Sequence, residues 1–103
     1  MKANKRRKLE DAGWKIGSSQ DFLGLTDEEI EFIEMKLALS SKVREQRAKK
    51  GLSQTELAKL LGSSQSRVAK MESGDASVSI DLLFKALLAL GVSRKKVAQV
   101  LAA

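Results

Sequence analysis

Histidine and cysteine are both absent from this sequence, so any chemistry its side chains perform must come from carboxylates, amides, hydroxyls and cations. The commonest general base, the commonest metal ligand, thiol catalysis, disulfides and zinc ribbons are lost together. We expect no enzyme and no cofactor. The carboxylates cluster in "DFLGLTDEEIEFIE" (21–34), where Asp27, Glu28, Glu31 and Glu34 lie close together with no base among them. Such a group can bind a divalent cation, but no EF-hand spacing or glycine-bearing calcium loop accompanies it. Acids at the start of a helix are favourable in their own right, and that reading leaves no metal site. "GWKIG" (13–17) lacks the glycine and lysine pattern of a phosphate loop.

The cations point elsewhere. The formal net charge is +6, and the positive residues fall into "KRRK" (5–8), "KVREQRAKK" (42–50) and "RKK" (94–96). A basic surplus favours a polyanionic partner, and its separation from the acidic stretch implies two faces with different partners. "FKALLALGVSRKKVAQVLAA" (84–103) is apolar with a basic patch, yet Gly91 interrupts it and its charges gather at one helix start, which suits core and capping helices better than a membrane-surface helix. No apolar run of 18 residues occurs, and the basic start "MKANKRRKLE" is followed by "DAGWKIGSSQ" where a secretory leader would turn apolar. We expect a soluble, cytoplasmic protein with no membrane partner.

The elements that position these groups are helices. There is no proline, no repeat and almost no β-branched alternation, which predicts an all-α fold. The exception is Trp14-Lys15-Ile16, which can form one short strand or an extended arm. "TDEE" at 26–29 is a capping box that starts a helix. Apolar residues then recur at Ile30, Ile33, Leu37 and at Phe32, Met35, Leu39, Val43 as far as Gly51, as one long helix or as two joined near Ser40 and Ser41. A second capping box, Ser53 to Glu56, opens a helix of about two turns with an apolar stripe of Leu57, Leu60 and Leu61. Ser64 caps the next, which turns Val68 and Met71 inward and ends at Gly74; Ser79 and Ser93 cap two more.

"LAKLLGSSQSRVAKME" (57–72) breaks one helix at a glycine and serines and restarts it at once, an arrangement that sets two helices at an angle. With "LSQTELAKLLG" before it, "SSQSRVAKMESG" across it and a following helix ending in "ALGV", the stretch from about residue 37 to 91 resembles the Xre family of helix-turn-helix regulators, to which lambdoid phage repressors and many antitoxins belong. About half the chain is covered. The resemblance implies a lambda repressor-like five-helix DNA-binding domain at 37–103 and an N-terminal helical extension at 1–36 for dimerisation or partner binding.

It further implies roles. Gln65, Ser66, Arg67 and Lys70 would face base edges, while Gln54 and Ser64 would hydrogen-bond phosphates; Arg67 can serve either purpose. The chemistry is apt, since a glutamine amide can meet adenine N6 and N7 together and arginine or lysine can donate to guanine O6 and N7. Arg47 and Glu72 would form an internal ion pair bracing the recognition helix. Ala58 would allow close helix approach, Gly62 the turn, and Val68 and Met71 the packing. The expected partners are double-stranded DNA and a second copy of the chain, in a dimeric repressor. The alternative is an antitoxin that also binds a protein toxin.

Overall fold

A computed structural model describes residues 26–103, which form five helices in sequence: α1 Asp27–Lys49, α2 Gln54–Leu61, α3 Gln65–Ser73, α4 Ile80–Ala89 and α5 Arg94–Ala102. The Trp14-Ile16 strand or arm lies outside the described residues. Each helix begins on a side chain that satisfies its first free N–H groups. Thr26 Oγ1 accepts from the Glu29 N–H at 3.1 Å while the Thr26 N–H donates to Glu29 Oε1. The Ser53 and Glu56 box closes in the same way at 3.0 and 2.9 Å. Ser64, Ser79 and Ser93 each accept one N–H, from Arg67, Leu82 and Lys96.

α1 runs unbroken through Ser40 and Ser41. Two serines cost a helix interior only tenths of a kcal/mol each, and the flanking Leu39 and Val43 are fully buried, so packing outweighs the local preference. α1 is the spine on which α3, α4 and α5 pack, and α2 packs most extensively on α3. The core is Leu39 and Val43 from α1, Leu57 and Ala58 from α2, Val68 and Met71 from α3, Leu83, Ala86 and Leu87 from α4, and Val78, Leu90 and Val92 beside them. Burying a leucine contributes about 1.5–3 kcal/mol, so this cluster is where most of the stability resides. Leu60 is a correction to the expected stripe: it is 57% exposed, because Leu57 and Ala58 already occupy the narrow inward face of a two-turn helix.

Polar ties anchor α1 to the chain beyond α3. Lys36, almost fully buried, donates to the Ala76 carbonyl at 3.3 Å, and Gln46 donates to the Leu90 carbonyl at 3.4 Å. Burial pushes the Lys36 ammonium below its ordinary pKa, and Asp75 partly offsets that effect. Asp75 caps the loop after α3 by accepting from the Ser77 hydroxyl at 2.6 Å and the Ser77 N–H at 2.9 Å, bonds that hold its carboxyl below the usual range.

Gly62 and Gly74 end α2 and α3 in the left-handed conformation, at φ 65° and 75°. Their surroundings differ. A Cβ on Gly62 would meet open space, whereas one on Gly74 would stand 2.5 Å from Leu37 Cδ2 on α1. Gly62→Ala should therefore cost only the left-handed penalty of about 1–2 kcal/mol. Gly74→Ala should cost that and the displacement of Leu37, giving the larger loss. Denaturant unfolding of the two variants checks the order, and equal losses would show that α1 yields to the methyl group freely.

Candidate nucleic-acid interface

α2 and α3 meet across the turn Gly62-Ser63. Ala58 of α2 is buried, at 3% exposed, and its carbonyl accepts from the Ser63 N–H at 2.8 Å. Val68 and Met71 are fully buried beneath α3. With those two turned inward, helical geometry carries Gln65, Ser66, Arg67 and Lys70 outward, and all four are exposed. Arg67 and Lys70 have no ion-pair partner among the described residues. The outer surface of α3 thus presents one amide, one hydroxyl and two cations within two turns. Ser64 stands at its N-terminus, with its hydroxyl 3.2 Å from that of Ser66.

Behind this row runs a chain of hydrogen bonds through three helices. Arg47, in the last turn of α1, donates from Nε to Glu72 Oε2 at 2.5 Å and from Nη2 to Glu72 Oε1 at 3.0 Å. Its Nη1 donates to the Leu52 carbonyl at 2.7 Å. Glu72 Oε1 also accepts from Gln54 Nε2 at 3.2 Å, and Gln54 Oε1 accepts from Gln65 Nε2 at 2.6 Å. The Arg47 and Glu72 side chains are 17% and 4% exposed, a setting in which two-point guanidinium-carboxylate bonding is strong. The bond to Glu72 raises the pKa of Arg47 further above its already high value.

Of the residues singled out by sequence, Arg47, Gln54, Gln65 and Glu72 come together in this one network, while Ser66, Arg67 and Lys70 stay outside it. The role of Gln54 is where sequence reasoning fell short. Its partners Gln65 and Glu72 lie 11 and 18 positions away, separations with no helical signature, so only the packed helices reveal that it couples the two. The acids of the first turn of α1, Asp27 and Glu28, are exposed, and no group of three or more His, Cys, Asp or Glu residues among the described residues is arranged to hold a metal.

Among the comparisons with known proteins, the family comparison matches this helix-turn-helix arrangement. A helix-turn-helix family model, HTH_3, matches residues 43–97, just over half the chain, from the middle of α1 into α5. None of the curated proteins and none of the solved structures compared with the chain matches it.

Breaking the Arg47-Glu72 pair strands a charge in a mostly buried place, which typically costs about 3–5 kcal/mol. Arg47→Ala and Glu72→Ala should each lower the melting temperature, and the double variant should be less destabilised than the two losses added. A double-mutant cycle by thermal unfolding measures the coupling, and strict additivity would show two independent charges.

Proposed function

Since the chain belongs to the helix-turn-helix family of the Xre, lambda repressor-like type, a family of DNA-binding regulators and not of enzymes, we propose that it is a sequence-specific transcriptional repressor that reads the major groove with α3. The observation that carries this reading is the exposed row Gln65, Ser66, Arg67 and Lys70, backed by the hydrogen-bonded chain from Gln65 to Arg47. A helix of nine residues is about 14 Å long, comparable with the roughly 12 Å width of the groove. Gln65 offers its amide to adenine, Arg67 and Lys70 donate to guanine, and Ser66 serves as donor or acceptor. Gln54 and Ser64 hold phosphates at the helix starts. The hydrogen bond that Gln65 donates to Gln54 fixes the Gln65 amide before DNA arrives, which lowers the ordering cost of the contact.

One α3 touches only a few base edges, while specific affinity usually needs a larger interface. A two-fold dimer supplies it, with the two α3 helices about 34 Å apart on an inverted repeat. Ile33 and Leu39 are buried within the chain, so the large apolar groups left to such a seam among the described residues are Phe32, Leu60 and Leu88. No helix among the described residues is long and apolar enough to cross a membrane, and the work of a repressor lies in the cytoplasm. A second reading, an antitoxin, draws on the first two turns of α1, where Asp27, Glu28 and Glu31 are exposed beside Phe32, which is 46% exposed. An acidic surface around an aromatic group suits a basic protein such as a toxin.

Enrichment from a pool of randomised duplexes tests the repressor reading. The expected product is an inverted repeat that carries two chains at saturation by sedimentation, with affinity falling steeply as salt rises. One chain per site with full specificity overturns the dimer, and failure to enrich any sequence overturns specific recognition. Gln65→Ala and Lys70→Ala should each lower discrimination between the enriched and scrambled duplexes by about 1–3 kcal/mol, as read by titration. Charge reversal at Glu28 and Glu31 should leave DNA affinity intact and, on the antitoxin reading, abolish the complex with a basic protein encoded beside this gene.

A further inference from the structure

A cleft of about 270 Å³ lies along α3, lined by Arg44, Arg47, Gln54, Ala69, Glu72 and Ser73. It joins the last third of α1, the first residue of α2 and the outer flank of α3. Two of its groups are already spent on each other, because Arg47 directs three donors to Glu72 and the Leu52 carbonyl. Glu72 is the carboxylate on the wall, and that pairing cancels its charge. Arg44 lies three residues before Arg47 in α1, hence on the neighbouring part of the same face. It is exposed and has neither an ion pair nor a side-chain hydrogen bond among the described residues. The cleft therefore holds one uncommitted positive charge.

Room and field agree with that charge. Ala69 and Ser73 are small, so the α3 wall is low. A second cleft of about 240 Å³, lined by Ser40, Ser41 and Gly74 among others, also borders Arg44. The N-terminus of α2 at Gln54 adds partial positive charge at the rim. The cleft is open along the flank of α3, so an anion carried by a polymer lying along that helix can reach it.

We propose that this cleft seats a backbone phosphate of the bound duplex, with the Arg44 guanidinium as its principal partner. The inference rests on the DNA-binding reading above and adds to it an anchor supplied by α1. Ser64 holds phosphate at the N-terminal end of α3, and Arg44 holds it toward the C-terminal end. The two anchors lie on either side of the row that reads the bases, so they set the tilt of α3 in the groove. Arg44 carries no sequence information itself.

The experiment compares the wild-type protein with Arg44→Gln on the enriched duplex. The variant should melt with the wild type, because Arg44 makes no side-chain hydrogen bond or ion pair among the described residues. Its log-log salt dependence should be shallower by about 0.9 per half-site, the slope of one lost phosphate contact, with an unchanged ratio of enriched to scrambled affinity. A scan of duplexes with a neutral methylphosphonate at each backbone position should find one linkage per half-site that weakens the wild type and leaves Arg44→Gln unaffected. An unchanged salt slope, or a scan in which every linkage weakens both proteins alike, overturns the phosphate seat while the DNA-binding reading stands. Absence of duplex binding by the wild type overturns both.

Discussion

The Arg47 guanidinium holds three parts of the molecule in one place. Its planar fork meets both carboxylate oxygens of Glu72 on α3, and its remaining edge meets the Leu52 carbonyl in the turn that leads to α2. Lysine could not replace it, because a point charge cannot bond in the plane to a carboxylate and a carbonyl together. The end of α1, the start of α2 and the last turn of α3 are thereby fixed relative to one another. Gln54 extends the constraint by bridging Glu72 to Gln65, so the first exposed amide of α3 is tied to a group two helices away.

The apolar core and this polar brace act on different degrees of freedom. Val68 and Met71, both fully buried, fix which face of α3 turns inward and therefore which turns out. They do less to fix its slide along the neighbouring helices, since dispersion contacts are non-directional. Hydrogen bonds with defined geometry supply that direction. A helix that must meet a groove within fractions of an ångström needs both. The close passage of Gly74 against Leu37 is a third restraint, steric in origin, at the end of α3 away from the turn.

Charge is divided along α1 in a way that matches two uses of one helix. Its first turn carries Asp27, Glu28 and Glu29 and its last carries Arg47 and Lys49, an order that also opposes the helix dipole favourably. The basic end lies against α2 and α3, while the exposed acids lie about five turns away. On the DNA-binding reading, this division would draw an anionic polymer to one end of the helix and repel it from the other, orienting the domain before any specific contact forms.

Composition, caps and periodicity made the helical fold legible from sequence alone. Thr26, Ser53, Ser64, Ser79 and Ser93 each mark a helix start through a bond to the N–H three residues on, and a local interaction leaves a local signature. The same holds for Gly62 and Gly74, and for the inward pair Val68 and Met71, whose spacing is helical. The outward set Gln65, Ser66, Arg67 and Lys70 follows as its complement, and its proposed use rests on the family likeness. Leu60 was misjudged because a two-turn helix has more apolar residues than inward positions. What tertiary structure alone decided are the relations across helices: that Gln54 bridges Gln65 and Glu72, that Leu37 closes over Gly74, and that Arg44 borders two clefts without a partner among the described residues. Such relations depend on crossing angles and side-chain directions between segments far apart in the chain. No periodicity along the sequence encodes those quantities, because packing fixes them only once all the helices are in place.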